Sequence, residues 1–150
     1  LKNIENLIIK YKIGGVLLYK KDYKNYKELN NLVNRLRKIG SQNKIPLFIA
    51  IDQEGGRVNR MPNDLKNLPS AYKLASFDKE NLVDEASDIT GEMLEKTGFN
   101  LNFAPVLDIK RFESTQAIGD RAFSKDFNIV TKCGLIYMDN MKRHNIVPVI

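Results

Sequence analysis

The sequence predicts an α/β protein organised as part of a (β/α)8 barrel, and three observations carry that expectation. Apolar, strand-like runs begin near residues 15, 47, 101 and 147 with helix-period segments between them, an alternation that implies parallel pairing through right-handed crossovers. Long polar segments follow three successive runs at the same end, as at the rim of a barrel. No glycine-rich dinucleotide or phosphate fingerprint opens a helix, and Gly14-Gly15 precedes a strand, so the open doubly wound sheet loses its main support.

Leu1 to Tyr11 sets Ile4, Leu7, Ile8 and Tyr11 on one helical face, with Gly14-Gly15 as its end. Gly15–Tyr19 follows as a short buried strand. Asp22 is placed to cap the next helix, whose stripe is Tyr26, Leu29, Val33 and Leu36 and whose stop is Gly40. Leu47–Ile51 reads as a strand buried on both faces. Met61 to Ala75, with Pro62 and Pro69, reads as an irregular loop over the carboxyl rim. Asp78 opens a helix with Leu82, Ala86, Ile89 and Met93 as its stripe and Gly98 as its stop. Phe99–Ala104 is the next strand, and Pro105, which has no N–H to donate, ends its ladder. After a loop to Ser124, a helix runs from about Asp126 to His144 and a last strand spans Ile146–Ile150. Without repeats, low-complexity runs or a linker, residues 1–150 read as one continuous unit.

The chain has 150 residues, with 24 Lys plus Arg against 18 Asp plus Glu, for a net charge of +6. The lysines are dispersed among Tyr and Asn and no nucleic-acid motif organises them, so a nucleic-acid partner is not expected. No apolar run approaches a membrane span, and the first residues lack the order of a secretion signal. The start in mid-pattern, without Met, points to a segment upstream. Cys133 is the only cysteine, excluding an internal disulfide and any multi-cysteine metal site. It sits at helical spacing among Val130, Tyr137 and Met141 and reads as a buried thiol. His144, the only histidine, falls at the basic end of a helix, where the helix dipole favours it without a catalytic role.

The richest segment is Ile51-Asp52-Gln53-Glu54-Gly55-Gly56-Arg57-Val58-Asn59-Arg60. Asp52 would stand at the rim of its strand, and two adjacent glycines permit positive φ and close approach of another molecule. Arg57 and Arg60 bring donor forks beside the acids. Asp108 to Arg111 and Gly119-Asp120-Arg121 join them from later loops. A carboxylate accepts from two neighbouring hydroxyls while an arginine donates back in a fixed plane, which suits a sugar. Asp52 and Glu54 are a carboxylate pair of the kind glycoside hydrolysis uses. The nearby arginines favour the ionised form of both, which disqualifies them as acid and nucleophile. Asp52 is read as a hydroxyl acceptor and Glu54 as a brace for an arginine. Asp108 is read as structural, holding backbone donors of its loop. The plainer reading of the glycine motif is a turn tied by ion pairs, which would not need two glycines; for Gly119-Asp120-Arg121 it is a solvated loop.

The three motifs Ile51–Val58, Asn102-Phe103-Ala104-Pro105-Val106-Leu107-Asp108 and Ile118-Gly119-Asp120-Arg121-Ala122-Phe123-Ser124 together resemble the N-terminal domain of glycoside hydrolase family 3. They are most similar to its β-N-acetylhexosaminidase branch, over nearly the whole chain. The resemblance implies a (β/α)8 barrel that removes terminal β-linked N-acetylglucosamine from cell-wall or chitin-derived sugars with retention, through a covalent glycosyl-enzyme, without metal or organic cofactor. By motif position it implies that Asp52, Arg60 and Arg121 bind the non-reducing sugar; no direct ligand role carries over to Glu54 or Arg57. It also implies that the first barrel strand and the C-terminal half lie outside these residues. With them lie the family's Lys-His-Phe-Pro-Gly motif, its acid/base and its nucleophile, so no catalytic residue is assigned here and the chain alone should be inactive. A barrel piece of this kind should self-associate through unpaired edges at Gly15–Tyr19 and Ile146–Ile150. A β-glucosidase of the same family and a non-catalytic carbohydrate-binding protein are the alternatives. A cytoplasmic location and a secreted or surface-anchored one both fit.

Overall fold

The computed structural model describes residues 2–43, 45–77, 80–110 and 116–150. The elements follow in order as α1 (Lys2–Ile9), β1 (Gly15–Leu17), α2 (Tyr26–Gly40), β2 (Phe48–Ile51), α3 (Ala71–Ser76), α4 (Glu80–Thr97), β3 (Leu101–Asn102), α5 (Phe127–Arg143) and β4 (Val147–Pro148). The four strands pair in parallel in the order β1-β2-β3-β4, with Val16 opposite Ile49, Ala50 opposite Leu101 and Leu101 opposite Val147. This is a parallel sheet with interspersed helices, part of a (β/α)8 barrel, and β1 and β4 are its edges.

Side chains alternate across a strand, so Ile49 and Ile51 join the helix-packed core while Phe48 lies on the other face at 45% exposed. On that face Ala50 is buried as well, so the expectation of burial on both faces fails for β2 only at Phe48. Four strands cannot close on themselves, so the face that lies inside a barrel stays open at Phe48 and Val147.

Several boundaries differ from the sequence expectation. Asp22 does not cap α2. It ends a short 3-10 turn, Lys20–Asp22, with its carboxylate accepting from the Tyr19 N–H at 2.7 Å, and Asn25 caps α2 by accepting from the Glu28 N–H. The helix α1 stops at Ile9, short of Tyr11, before Lys12 reverses the chain at φ 55°. The supposed loop from Met61 to Ala75 contains most of α3. Asp78, expected to open α4, lies outside the described residues.

The buried stripe of α4 is Val83, Ala86, Ser87, Thr90 and Leu94, while Ile89 is exposed. Hydroxyls disguise that face: Ser87 Oγ donates to the Val83 carbonyl at 2.7 Å and Thr90 Oγ1 to Ala86 at 2.8 Å. Once bonded to the turn before, they pack as small apolar groups. The helix α5 then lies on α4, with Asn140 donating to Ser87 Oγ. Cys133 is buried there, as expected.

His144 ends α5 and clips it to α4, Nε2 lying 2.7 Å from Asp88 Oδ1 and Nδ1 3.2 Å from Glu95 Oε2. Gly91 makes room for the ring, since a Cβ there would lie 2.5 Å from His144 Cδ2. Its bond to Asp88 comes first, and that to Glu95 second, in raising the imidazole above its ordinary 6.5. A raised folded-state value means the clip stabilises fully below 6.5 and fades as pH rises through that higher value. Urea midpoints should therefore fall more for the wild type than for His144→Gln between pH 6 and pH 8; parallel curves would exclude the clip.

Candidate functional site

The carboxyl ends of β1, β2 and β3 carry Tyr19, Asp52 to Glu54, and Phe103 to one rim. The turn after β2 depends on its glycines, with φ of 88° at Gly55 and 55° at Gly56. Glu54 N–H donates to Val58 O and Val58 N–H to Gly55 O, while Gly56 N–H reaches Leu68 O at 2.8 Å. A Cβ at Gly55 would stand 2.6 Å from the Pro69 carbonyl. Gly55→Ala combines that clash with a left-handed backbone and should cost about 2–3 kcal/mol, read as a drop in urea midpoint; an unchanged midpoint would mean that the turn can rearrange.

Beneath the turn lies a polar network that the sequence reading missed. Gln53, 1% exposed, accepts with Oε1 from the Arg60 N–H at 2.9 Å and from the Met61 N–H at 3.3 Å. Asn102 clasps the Gln53 backbone, its Oδ1 accepting from the N–H at 2.9 Å and its Nδ2 donating to the carbonyl at 3.0 Å. The Tyr137 hydroxyl donates to the same carbonyl, and burial raises its pKa so that it stays a donor. The Tyr23 hydroxyl, pushed up to about 12 chiefly by burial, donates to Arg60 O. The available signal was Asn102 itself, a polar residue at a helix-facing position of an apolar strand.

Asp52, Arg60 and Arg121 line one cleft of about 420 Å3 with Leu17, Tyr19, Glu54, Val58 and Phe103. Arg60 Nη2 lies 3.6 Å from Asp52 Oδ2. Arg121 binds Glu54 through both arms, Nε to Oε2 at 2.8 Å and Nη2 to Oε1 at 2.7 Å, so Glu54 braces an arginine as expected. That bond is the main reason the guanidinium holds its proton even more firmly than usual, and the charges of Glu54, Asp108 and Asp52 add to it.

Arg57 is not beside the acids. It crosses to the later loop, where Nε meets Asp120 Oδ1 at 3.1 Å and Nη2 donates to the carbonyls of Gln116, Ala117 and Ile118. The arginine facing Glu54 is instead Arg121, and of the two arginines expected beside the acids only Arg60 is there, next to Asp52. Gly119-Asp120-Arg121 is not a free solvated loop either, since Asp120 and Arg121 both bind the glycine turn. Arg111 lies outside the described residues. His144 sits on the outer helices, away from the residues that line the cleft.

The model of the "Glycosyl hydrolase family 3 N terminal domain" matches residues 1–150. The "Beta-hexosaminidase A" of Pseudoalteromonas piscicida is 34% identical over 138 residues, covering 88% of this chain and 23% of that protein. The "Beta-hexosaminidase" of Tolumonas auensis is 34% identical over 131 residues, covering 86% of this chain and 38% of that one. Among solved structures, a glycoside hydrolase family 3 β-N-acetylglucosaminidase from Paenibacillus sp. superposes with a TM-score of 0.92 at 28% identity, over 99% of this chain and 28% of that one. The chain thus spans well under half the length of these relatives. It belongs to the glycosyl hydrolase family 3 N-terminal domain family.

Proposed function

We propose that Asp52, Arg60 and Arg121 hold the non-reducing N-acetylglucosamine of a β-linked substrate, and that the protein carrying this chain is a retaining β-N-acetylhexosaminidase. In this reading residues 1–150 are one continuous part of its barrel domain. The observation that supports it is the meeting of these three side chains, from two loops far apart in sequence, at one cleft on the carboxyl rim of the sheet. Asp52 can accept from two adjacent ring hydroxyls while Arg60 donates to their oxygens. Glu54 occupies Nε and one N–H of Nη2 on Arg121, which fixes the guanidinium plane and leaves other N–H groups for a ligand. The names borne by the relatives supply the sugar: two relatives at 34% identity are called β-hexosaminidases, and a solved structure at 28% identity a β-N-acetylglucosaminidase.

Cleavage needs an acid and a nucleophile. The cleft's acids are committed otherwise, Glu54 to Arg121 and Asp52 to Arg60, and the proposal takes both catalytic groups from outside this chain. The test is hydrolysis of 4-nitrophenyl N-acetyl-β-glucosaminide against the matching β-glucoside by the whole protein. Dominant turnover of the glucoside would overturn the sugar assignment, and no turnover of either would overturn the enzyme reading.

A further inference from the structure

A second cleft of about 380 Å3 opens beside the sugar cleft, lined by Tyr19, Lys20, Lys21 and Arg60. Tyr19 and Arg60 line both clefts and so stand in the wall between them. Lys20 and Lys21 begin the 3-10 turn after β1, and both are exposed. Lys21 Nζ lies 5.8 Å from the centre of the Tyr19 ring, which keeps that ammonium near the dividing wall. The acid of the same turn, Asp22, points its carboxylate back at the Tyr19 N–H. Three cationic side chains thus line one opening, with no acid among the described residues that line it.

Arg60 is lightly engaged and half-buried. Among the described residues its ion pair is with Asp52, long at 3.6 Å, and 28% of its side-chain surface stays open to solvent. A guanidinium in that state gains from an additional oxygen acceptor. Two lysines, with an arginine only partly balanced by Asp52, present net positive charge that a carboxylate or phosphate answers better than a neutral hydroxyl or an apolar group.

We propose that this cleft is an oxyanion subsite, receiving a phosphate or carboxylate carried on the sugar held next door. The idea extends the sugar-binding reading of Asp52, Arg60 and Arg121 and rests on it. Carbon 6 of a hexose is exocyclic and free to rotate away from the ring, and the proposal puts the oxyanion at that position. The ring stays between Asp52 and Arg121, and the charged group passes Tyr19 to meet Lys20, Lys21 and Arg60.

Calorimetric titration of the whole protein tests this with N-acetylglucosamine, its 6-phosphate, its 6-carboxylate (the uronic acid) and inorganic phosphate. The 6-phosphate and the 6-carboxylate should each bind more tightly than the neutral sugar, by about tenfold for the phosphate, an advantage that shrinks as salt rises. The double variant K20Q/K21Q should erase most of that advantage and leave the neutral sugar's affinity unchanged. Equal binding of neutral and charged sugars, or an advantage that survives K20Q/K21Q, overturns the subsite and leaves the sugar reading standing. Inorganic phosphate binding as tightly as the sugar phosphate also overturns it, because the site would then serve a free anion. Failure of every sugar to bind overturns the sugar reading and this extension together.

Discussion

Arg121→Ala is expected to lower folding stability by about 2–3 kcal/mol and to abolish sugar binding at the cleft. The stability loss comes from Glu54, whose side chain is 8% exposed and whose two oxygens both depend on Arg121. Removing the guanidinium leaves a charge that water scarcely reaches. The figure sits below the ~3–5 kcal/mol of a fully buried pair because Arg121 itself keeps 29% of its side-chain surface. Arg57→Ala provides the contrast. Its ion pair with Asp120 is nearly half exposed on both sides, so the electrostatic part of its loss should stay under about 1 kcal/mol. Urea denaturation of E54A, R121A and the double variant, in the whole protein, reads the coupling directly. If the double variant loses the sum of the two singles, the residues act independently and the brace is wrong. Sugar binding by R121A at wild-type affinity would remove Arg121 from the site.

The order of strands and helices could be read from the sequence because it rests on local signals. Apolar periodicity, Gly98 after α4 and Pro105 after β3 each act over a few residues. The gathering of Asp52, Arg60 and Arg121 could also be anticipated, since all three lie on loops at the carboxyl ends of parallel strands. The pairing of the arginines could not. Arg57 and Arg121 are equally plausible partners for Glu54 in one dimension, and the choice is made by contacts 63 and 67 residues apart. The α4 stripe was only partly legible, with Ala86 buried and Met93 packed on the core but Ile89 exposed, because Ser87 and Thr90 look polar until their hydroxyls find carbonyls one turn back. Asn25 displaced Asp22 as a cap because Asp22 was already spent on the preceding turn.

Asn102→Leu conserves approximate size while removing the clasp on which the site's geometry depends, and should cost about 2–4 kcal/mol. Asn102 is fully buried and joins β3 to the residue between Asp52 and Glu54. Leucine leaves the Gln53 N–H without an acceptor where water cannot substitute, while the Gln53 carbonyl keeps only the Tyr137 hydroxyl. Tyr137→Phe removes one donor from a carbonyl that Asn102 still serves, so it should cost nearer 1 kcal/mol. The consequence for binding follows from Gln53, whose side chain fixes the backbone N–H groups of Arg60 and Met61. If Gln53 shifts, Arg60 leaves the position from which it faces Asp52. Asn102→Leu should therefore weaken sugar affinity about tenfold or more without touching the sugar, in keeping with the effect of small misplacements on a bound geometry. Asn102→Asp is the harsher change: its carboxylate still accepts from the Gln53 N–H, but its other oxygen faces the Gln53 carbonyl at a position water cannot reach. It should cost at least as much stability as Asn102→Leu. Asn102→Leu with wild-type stability and affinity would show that Gly55, Gly56 and the ion pairs position the cleft unaided.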